Sequence, residues 1–152
     1  MENLVNSPRY FDDLTVGEEF VSRWYEATEK ELIEFATKYD YQYFHIDSER
    51  AKLSPFGGII ASGTYTFAIW NKLNLEVNGD IAWIAGMGFD EFRFPKPLRP
   101  GVQFRSESKL IDKKVSKSSK DRGIVTHLYK LVTKDSDELF TCLCPALVHK
   151  KE

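Results

Sequence analysis

The chain has 152 residues, 42% of them hydrophobic and 29% charged, with a formal net charge of -2 at pH 7. That length fits one domain, residues 1–152, which buries roughly two-thirds of the surface its unfolded form exposes. The charge balance argues against a general nucleic-acid binder, no apolar run reaches the length that spans a bilayer, and Met1 to Asp13 has neither the basic nor the apolar region of a secretory leader, so a cytoplasmic protein is expected.

Glu18 to Ala27 reads as an opening strand with loose alternation. Thr28 and Glu31 have capping-box spacing, and Leu32, Phe35, Ala36 and Tyr39 follow at i, i+3, i+4 and i+7, the apolar face of a helix that ends near Asp40. Asp47 is placed to cap a short helical piece from Ser48 to Leu53, stopped by Ser54-Pro55. Gly57 and Gly58 then permit a close backbone approach, and Ser62 is an N-cap for a helix from Gly63 to Val77. Phe67, Ala68, Ile69, Trp70, Leu73 and Leu75 cover most of its circumference, the pattern of a helix buried in the middle of a fold.

The second half is strand-rich. Ile81 to Phe94 holds one or two extended pieces, and Pro95, Pro97 and Pro100-Gly101 mark a turn-rich connection. Val102, Phe104, Ser106, Ser108 and Leu110 alternate with polar residues as a half-buried strand, Lys113 to Gly123 reads as a long hairpin connection, and Ile124 to Lys134 pairs with Leu139 to Val148 across a polar turn. Pro145 marks an edge or a bulge in the last strand. Cys142 and Cys144 are two apart on one strand face, where a disulfide would be strained, so both read as small buried hydrophobes. The sum is an α+β fold, an antiparallel sheet with a buried helix against it.

Asp40 and His45 stand five residues apart, a carboxylate and an imidazole. Taken alone, Asp40 reads as a helix-end residue and His45 as a partly exposed loop histidine. Ser62 reads as a cap rather than a nucleophile, Thr64 and Thr66 as ordinary helix residues, and His127 and His149 as structural or solvated.

Four phrases change that reading. Asp40-Tyr41-Gln42-Tyr43-Phe44-His45 resembles the Asp-x-Asn-Pro-(Leu/Ile)-His motif of the MaoC-like dehydratases and (R)-specific enoyl-CoA hydratases. Ala61-Ser62-Gly63 resembles their Ala-His-Gly or Ala-Ser-Gly entry into a central helix. Tyr10 to Gly17 and Arg93 to Gly101 match their flanking phrases. The resemblance runs from Tyr10 to Val148, with Gln42 and Tyr43 in place of Asn-Pro and Ser62 in place of the histidine of many members.

The resemblance implies the hot-dog fold, an antiparallel sheet wrapped around a long central helix, and a homodimer whose acyl tunnel lies near the subunit interface. It implies an acyl-CoA or acyl-carrier-protein thioester as substrate, no metal or organic cofactor, and no nucleic-acid or membrane partner. Asp40 and His45 are its acid/base pair, with the role of formal base open to either residue or shared between them. Gly63, at the first position of the helix, is the oxyanion donor beside Ser62, because the first N–H groups of a helix lack internal partners. Tyr39, Tyr41, Tyr43 and Phe44 line the tunnel or pack in a core or dimer interface, and Arg93, Lys96, Arg99, Lys117, Lys120 and Arg122 are the cations available to a phosphate. Thioester hydrolysis and a non-catalytic acyl-thioester-binding or dimerisation module are the alternatives on the same fold.

Overall fold

Alternation of apolar and polar residues along the second half of the chain dictates a sheet with one covered face. The computed structural model describes residues 7–152, so the start of the Met1 to Asp13 stretch lies outside the described residues. A 3-10 turn (Phe11–Asp13) leads to β1 (Glu19–Val21), β2 (Tyr25–Glu26), α1 (Glu29–Tyr39), α2 (Tyr43–Ile46), α3 (Ser48–Lys52) and α4 (Gly63–Asn78). Then come β3 (Trp83–Gly86), β4 (Asp90–Arg93), β5 (Gln103–Val115), β6 (Arg122–Thr133) and β7 (Glu138–His149). The sheet order is β1-β5-β6-β7-β3, with β2 also on β5 and β4 also on β7, all antiparallel.

Phe104, Ser106, Ser108 and Leu110 of β5 face inward together with Val125, His127, Tyr129 and Leu131 of β6 and Phe140, Cys142 and Cys144 of β7. α4 lies on this face, its Tyr65, Ile69, Trp70 and Leu73 in one core with Phe104, Tyr129, Leu131 and Phe140. This is the expected α+β architecture, a sheet around a long helix. Both cysteines are buried and free, and burial pushes the Cys142 thiol up to about 12. Among the described residues, no helix is long and apolar enough to cross a membrane.

Several local expectations are corrected. The opening strand breaks into β1 and β2, both paired to β5. The hairpin connection expected over Lys113 to Gly123 is shorter than that range, since β5 runs to Val115 and β6 starts at Arg122, which leaves Ser116 to Asp121 between the strands. Pro145 sits neither at an edge nor at a bulge: it faces Thr126 of β6 on one side, and on the other its carbonyl accepts from Met87 N at 2.8 Å. In an antiparallel ladder a residue's N and O point to the same neighbour. The missing N–H of Pro145 therefore falls in the break between β3 and β4, where no ladder bond is lost. α4 is covered on one side only, with Ala68 and Leu75 exposed.

The C-terminal end of α4 carries a buried polar group of side chains. Asn78 donates to Asn74 Oδ1 and Ser108 Oγ, each at 2.9 Å, and its carbonyl accepts from Trp83 Nε1 at 2.9 Å. Arg9 closes this end, donating from Nε and Nη2 to the two Asp80 carboxylate oxygens at 2.7 Å each and from Nη2 to the Val77 carbonyl at 3.3 Å. Nearby, His127 is 2% exposed, stacked on Tyr129 and edge-on to Trp83, and its Nδ1 has no partner among the described residues.

Burial, with a smaller push from Arg9, lowers the His127 pKa from 6.5 to about 4. The unfolded chain takes up this proton as the pH falls through 6.5, and the folded protein takes it up only near 4. Stability therefore falls with decreasing pH across that window, by about 2 kcal/mol at pH 5 relative to neutral pH. Denaturant unfolding at both pH values is expected to show this loss, and to show less of it in His127→Phe; an equal loss in the variant contradicts the assignment.

Candidate functional site

α1 brings Asp40 to its position. Thr28 Oγ1 accepts from Glu31 N at 3.1 Å, so the cap forms as its sequence requires. The reciprocal half of the capping box is absent, because Glu31 carboxylate accepts instead from Tyr25 OH at 2.8 Å and Tyr65 OH at 2.7 Å. This ties the start of α1 to β2 and to the first turn of α4. Burial, then the bond to Glu31, raises the Tyr65 phenol far above its ordinary pKa. Asp40 is the C-cap of α1, its N–H donating to Ala36 O at 2.8 Å.

The chain then folds into α2, a single turn that the apolar periodicity did not reveal. Gln42 is its N-cap and Tyr43 its first residue. These are the positions where Asn caps well and Pro is pre-organised. The Asn-Pro of the resembling motif thus specifies the start of this turn. Here Gln42 makes no capping bond, and Tyr43 is held by packing, with the Arg50 guanidinium over its ring at 4.9 Å and Phe44 at 5.0 Å. Asp47 caps α3 as expected, accepting from Arg50 N at 3.0 Å.

His45 is 6% exposed, which corrects its reading as a partly exposed loop residue. Phe44 packs edge-on to its ring at 4.5 Å. His45 Nδ1 lies 2.7 Å from Ile60 O. A carbonyl oxygen only accepts, so Nδ1 carries the proton. In the neutral ring Nε2 is then bare, and it faces Asp40 Oδ2 at 3.6 Å, too long for a direct hydrogen bond. The Ile60 backbone is engaged twice, since its N–H donates to Phe44 O at 3.2 Å.

The segment before α4 therefore docks on α2 through its backbone. Gly57 has φ +70, the left-handed conformation that favours glycine, but an added Cβ at Gly57 or Gly58 would meet nothing within 4 Å. The close approach expected at these two glycines occurs instead at Gly63, where a Cβ would sit 2.9 Å from Phe94 Cε2. Ser62 is 0% exposed, and its Oγ accepts from Tyr65 N at 3.0 Å, so it acts as the cap. Its carbonyl accepts from Thr66 Oγ1 at 3.1 Å. Gly63, first residue of the 16-residue α4, presents an N–H with no intrahelical partner at the positive end of the helix dipole.

A cleft of about 370 Å³ lies here, lined by His45, Ile60, Gly63, Thr66, Phe94 and Leu139 among others. His45 and Gly63 thus share one cleft. Asp40 and Ser62 are not among its lining residues; Asp40 meets it through His45, and Ser62 supports it from beneath. Thr66, read from sequence as an ordinary helix residue, lines the cleft with Phe94 and Leu139, to which sequence assigned no role in it; a glycine at the first position of a capped helix was the available signal that something packs there. Tyr39 and Tyr41 are 64% and 72% exposed, outside the cleft wall. Of the cations, Lys96 lines the cleft and pairs with Asp137, Arg99 lines a neighbouring depression with Lys52, and Lys117 and Lys120 lie at the opposite end of β6. Among the described residues, no group of three or more His, Cys, Asp or Glu side chains is arranged to hold a metal ion.

The chain is similar to several known proteins. The family model described as MaoC like domain matches residues 13–133. The chain is 32% identical over 131 residues to the uncharacterised protein YdeM of Bacillus subtilis, covering 85% of this chain and 91% of YdeM. It is 35% identical over 94 residues to 3-hydroxyacyl-thioester dehydratase Z of Mycobacterium tuberculosis, covering 59% of this chain and 62% of that protein. The crystal structure of a MaoC-like dehydratase from Rhodospirillum rubrum superposes with a TM-score of 0.88 at 32% identity, covering 95% of this chain and 99% of that one. The fold is the hot-dog fold, and the chain belongs to the MaoC-like dehydratase family.

Proposed function

We propose that the protein, a single MaoC-like domain acting as a homodimer, reversibly hydrates trans-2-enoyl-CoA to (R)-3-hydroxyacyl-CoA without metal or organic cofactor. The observation that carries the reading is the His45 tautomer: Nδ1 bonded to Ile60 O leaves a bare Nε2 facing the Asp40 carboxylate in a cleft shared with Gly63. The similarity to a 3-hydroxyacyl-thioester dehydratase supports the thioester as substrate.

Hydration requires three things of the site. A water is deprotonated as it attacks the β-carbon, the α-carbon receives a proton, and the thioester oxygen is stabilised as it gains enolate charge. A substrate water lying against both Nε2 and Oδ2 gives its proton to the pair, and the same pair returns a proton to the α-carbon. The charge on Asp40 stabilises the imidazolium that forms. The Gly63 N–H, reinforced by the dipole of α4, receives the thioester oxygen and contributes on the order of 3 kcal/mol. Ser62 Oγ is buried and occupied by Tyr65 N, so nothing favours it as the nucleophile of a thioesterase. For dimerisation, the outer edge of β3 and β4, beside the exposed Met87 and Phe89, is the supporting surface.

Loss of the conjugated thioester absorbance on mixing with enoyl-CoA substrates tests the activity. Asp40→Asn and His45→Ala are each expected to lower kcat by at least ~100-fold. Wild-type rates in either variant refute the pair, release of free CoA thiol selects hydrolysis, and binding without turnover selects a non-catalytic module. Ser62→Ala removes the cap and is expected to cost about 1 kcal/mol, lowering Tm by about 2–4 °C in a thermal melt; an unchanged Tm contradicts the capping role.

A further inference from the structure

The carrier of a thioester is too large for a cleft of about 370 Å³ and remains outside, so an acyl tail anchored at Gly63 points toward the protein interior. What it meets there is aromatic. Gly63 and Thr66 share one face of α4, and Phe67 and Trp70 continue that face about 6 and 10 Å further along the helix axis. The Phe67 ring lies on Trp70 at 5.3 Å, and both meet Phe140 of β7, at 6.0 and 5.1 Å. Phe92 of β4 packs on Phe67 at 5.4 Å and on Phe140 at 5.0 Å. Phe94, itself in the cleft wall, completes the set against Phe92 at 5.1 Å and Phe140 at 5.9 Å. Trp70 and Phe140 are 2% and 0% exposed. Rings at these separations are in contact, and close-packed interiors give way only at a cost.

We propose that Phe67, Trp70, Phe92, Phe94 and Phe140 form a wall that confines the site to short-chain enoyl thioesters, with crotonyl-sized acyl groups preferred. This rests on the hydration reading of the same site. Wall and tunnel make opposite predictions. An open apolar tunnel tightens binding by about fourfold for each added methylene, on the order of 200-fold from butyryl to octanoyl. A ring wall gives no such gain and forces the longer tail to displace packed side chains.

The test compares kcat/KM of the full-length protein for crotonyl-, hexenoyl-, octenoyl- and decenoyl-CoA. In parallel, calorimetry measures binding of butyryl- and octanoyl-CoA, which have no double bond to hydrate. The expected result is a fall in kcat/KM of at least tenfold from crotonyl to octenoyl, with octanoyl-CoA bound no tighter than butyryl-CoA. Phe67→Ala and Phe92→Ala, at half-buried positions, are expected to raise the octenoyl-to-crotonyl ratio at least tenfold. Equal or better use of octenoyl-CoA by the wild type, or an unchanged ratio in the folded variants, overturns the wall. Preferential butyryl-CoA binding without turnover supports the wall and defeats the hydration reading, whereas binding of neither thioester overturns both.

Discussion

The hydrogen bond from His45 Nδ1 to the Ile60 carbonyl is the contact on which the rest of the site depends. It orients the ring so that Nε2 faces Asp40, and it keeps the proton of the neutral ring on Nδ1. It also joins α2 to the segment that enters α4, with the Ile60 N–H bonding Phe44 O in return. One residue's backbone thereby fixes both halves of the candidate site relative to each other: the proposed proton-transfer pair on one side and the helix N-terminus on the other.

Two further ties hold that relation. Glu31 links α1, which ends at Asp40, to Tyr65 in the first turn of α4. Ala61 N donates to Leu98 O at 2.9 Å, which secures the proline-rich wall of the cleft to the same segment. The sheet supplies the floor beneath α4, and its inward aromatic residues limit how far the cleft extends. Shape and chemistry come from different layers: backbone contacts orient the reacting groups, and rings from α4, β4 and β7 bound the space.

Much of this was legible because it is local. Thr28, Asp47 and Ser62 announce helix starts by their side-chain chemistry, and all three caps form. Alternation along β5 to β7 places their inward residues correctly. What stayed hidden depends on contacts distant in sequence. α2 is too short to show a period, so the burial of His45 went unread. The acceptor for its Nδ1 is a backbone carbonyl, which leaves no signature at residue 60. Glu31 has the spacing of a capping box, but two tyrosines compete for its carboxylate and win. Pro145 looked like an edge marker, yet the gap it occupies is created by the switch from β3 to β4, which the sequence of β7 does not contain. The motif positions Gln42 and Tyr43 proved to be a helix cap and a first helical residue, so their departure bears on how the turn is stabilised.

The Ile60 carbonyl, by accepting from His45 Nδ1, keeps the ring proton on that nitrogen and aims Nε2 at Asp40. Long-range nitrogen–proton correlation NMR of the imidazole side chains at neutral pH tests it most directly. The neutral form of the His45 ring is expected to be the Nδ1-protonated tautomer, with Nε2 at the shift of an unprotonated ring nitrogen, and Asp40→Asn is expected to change the Nε2 shift while Nδ1 stays protonated. A His45 ring found as the Nε2-protonated tautomer would contradict it.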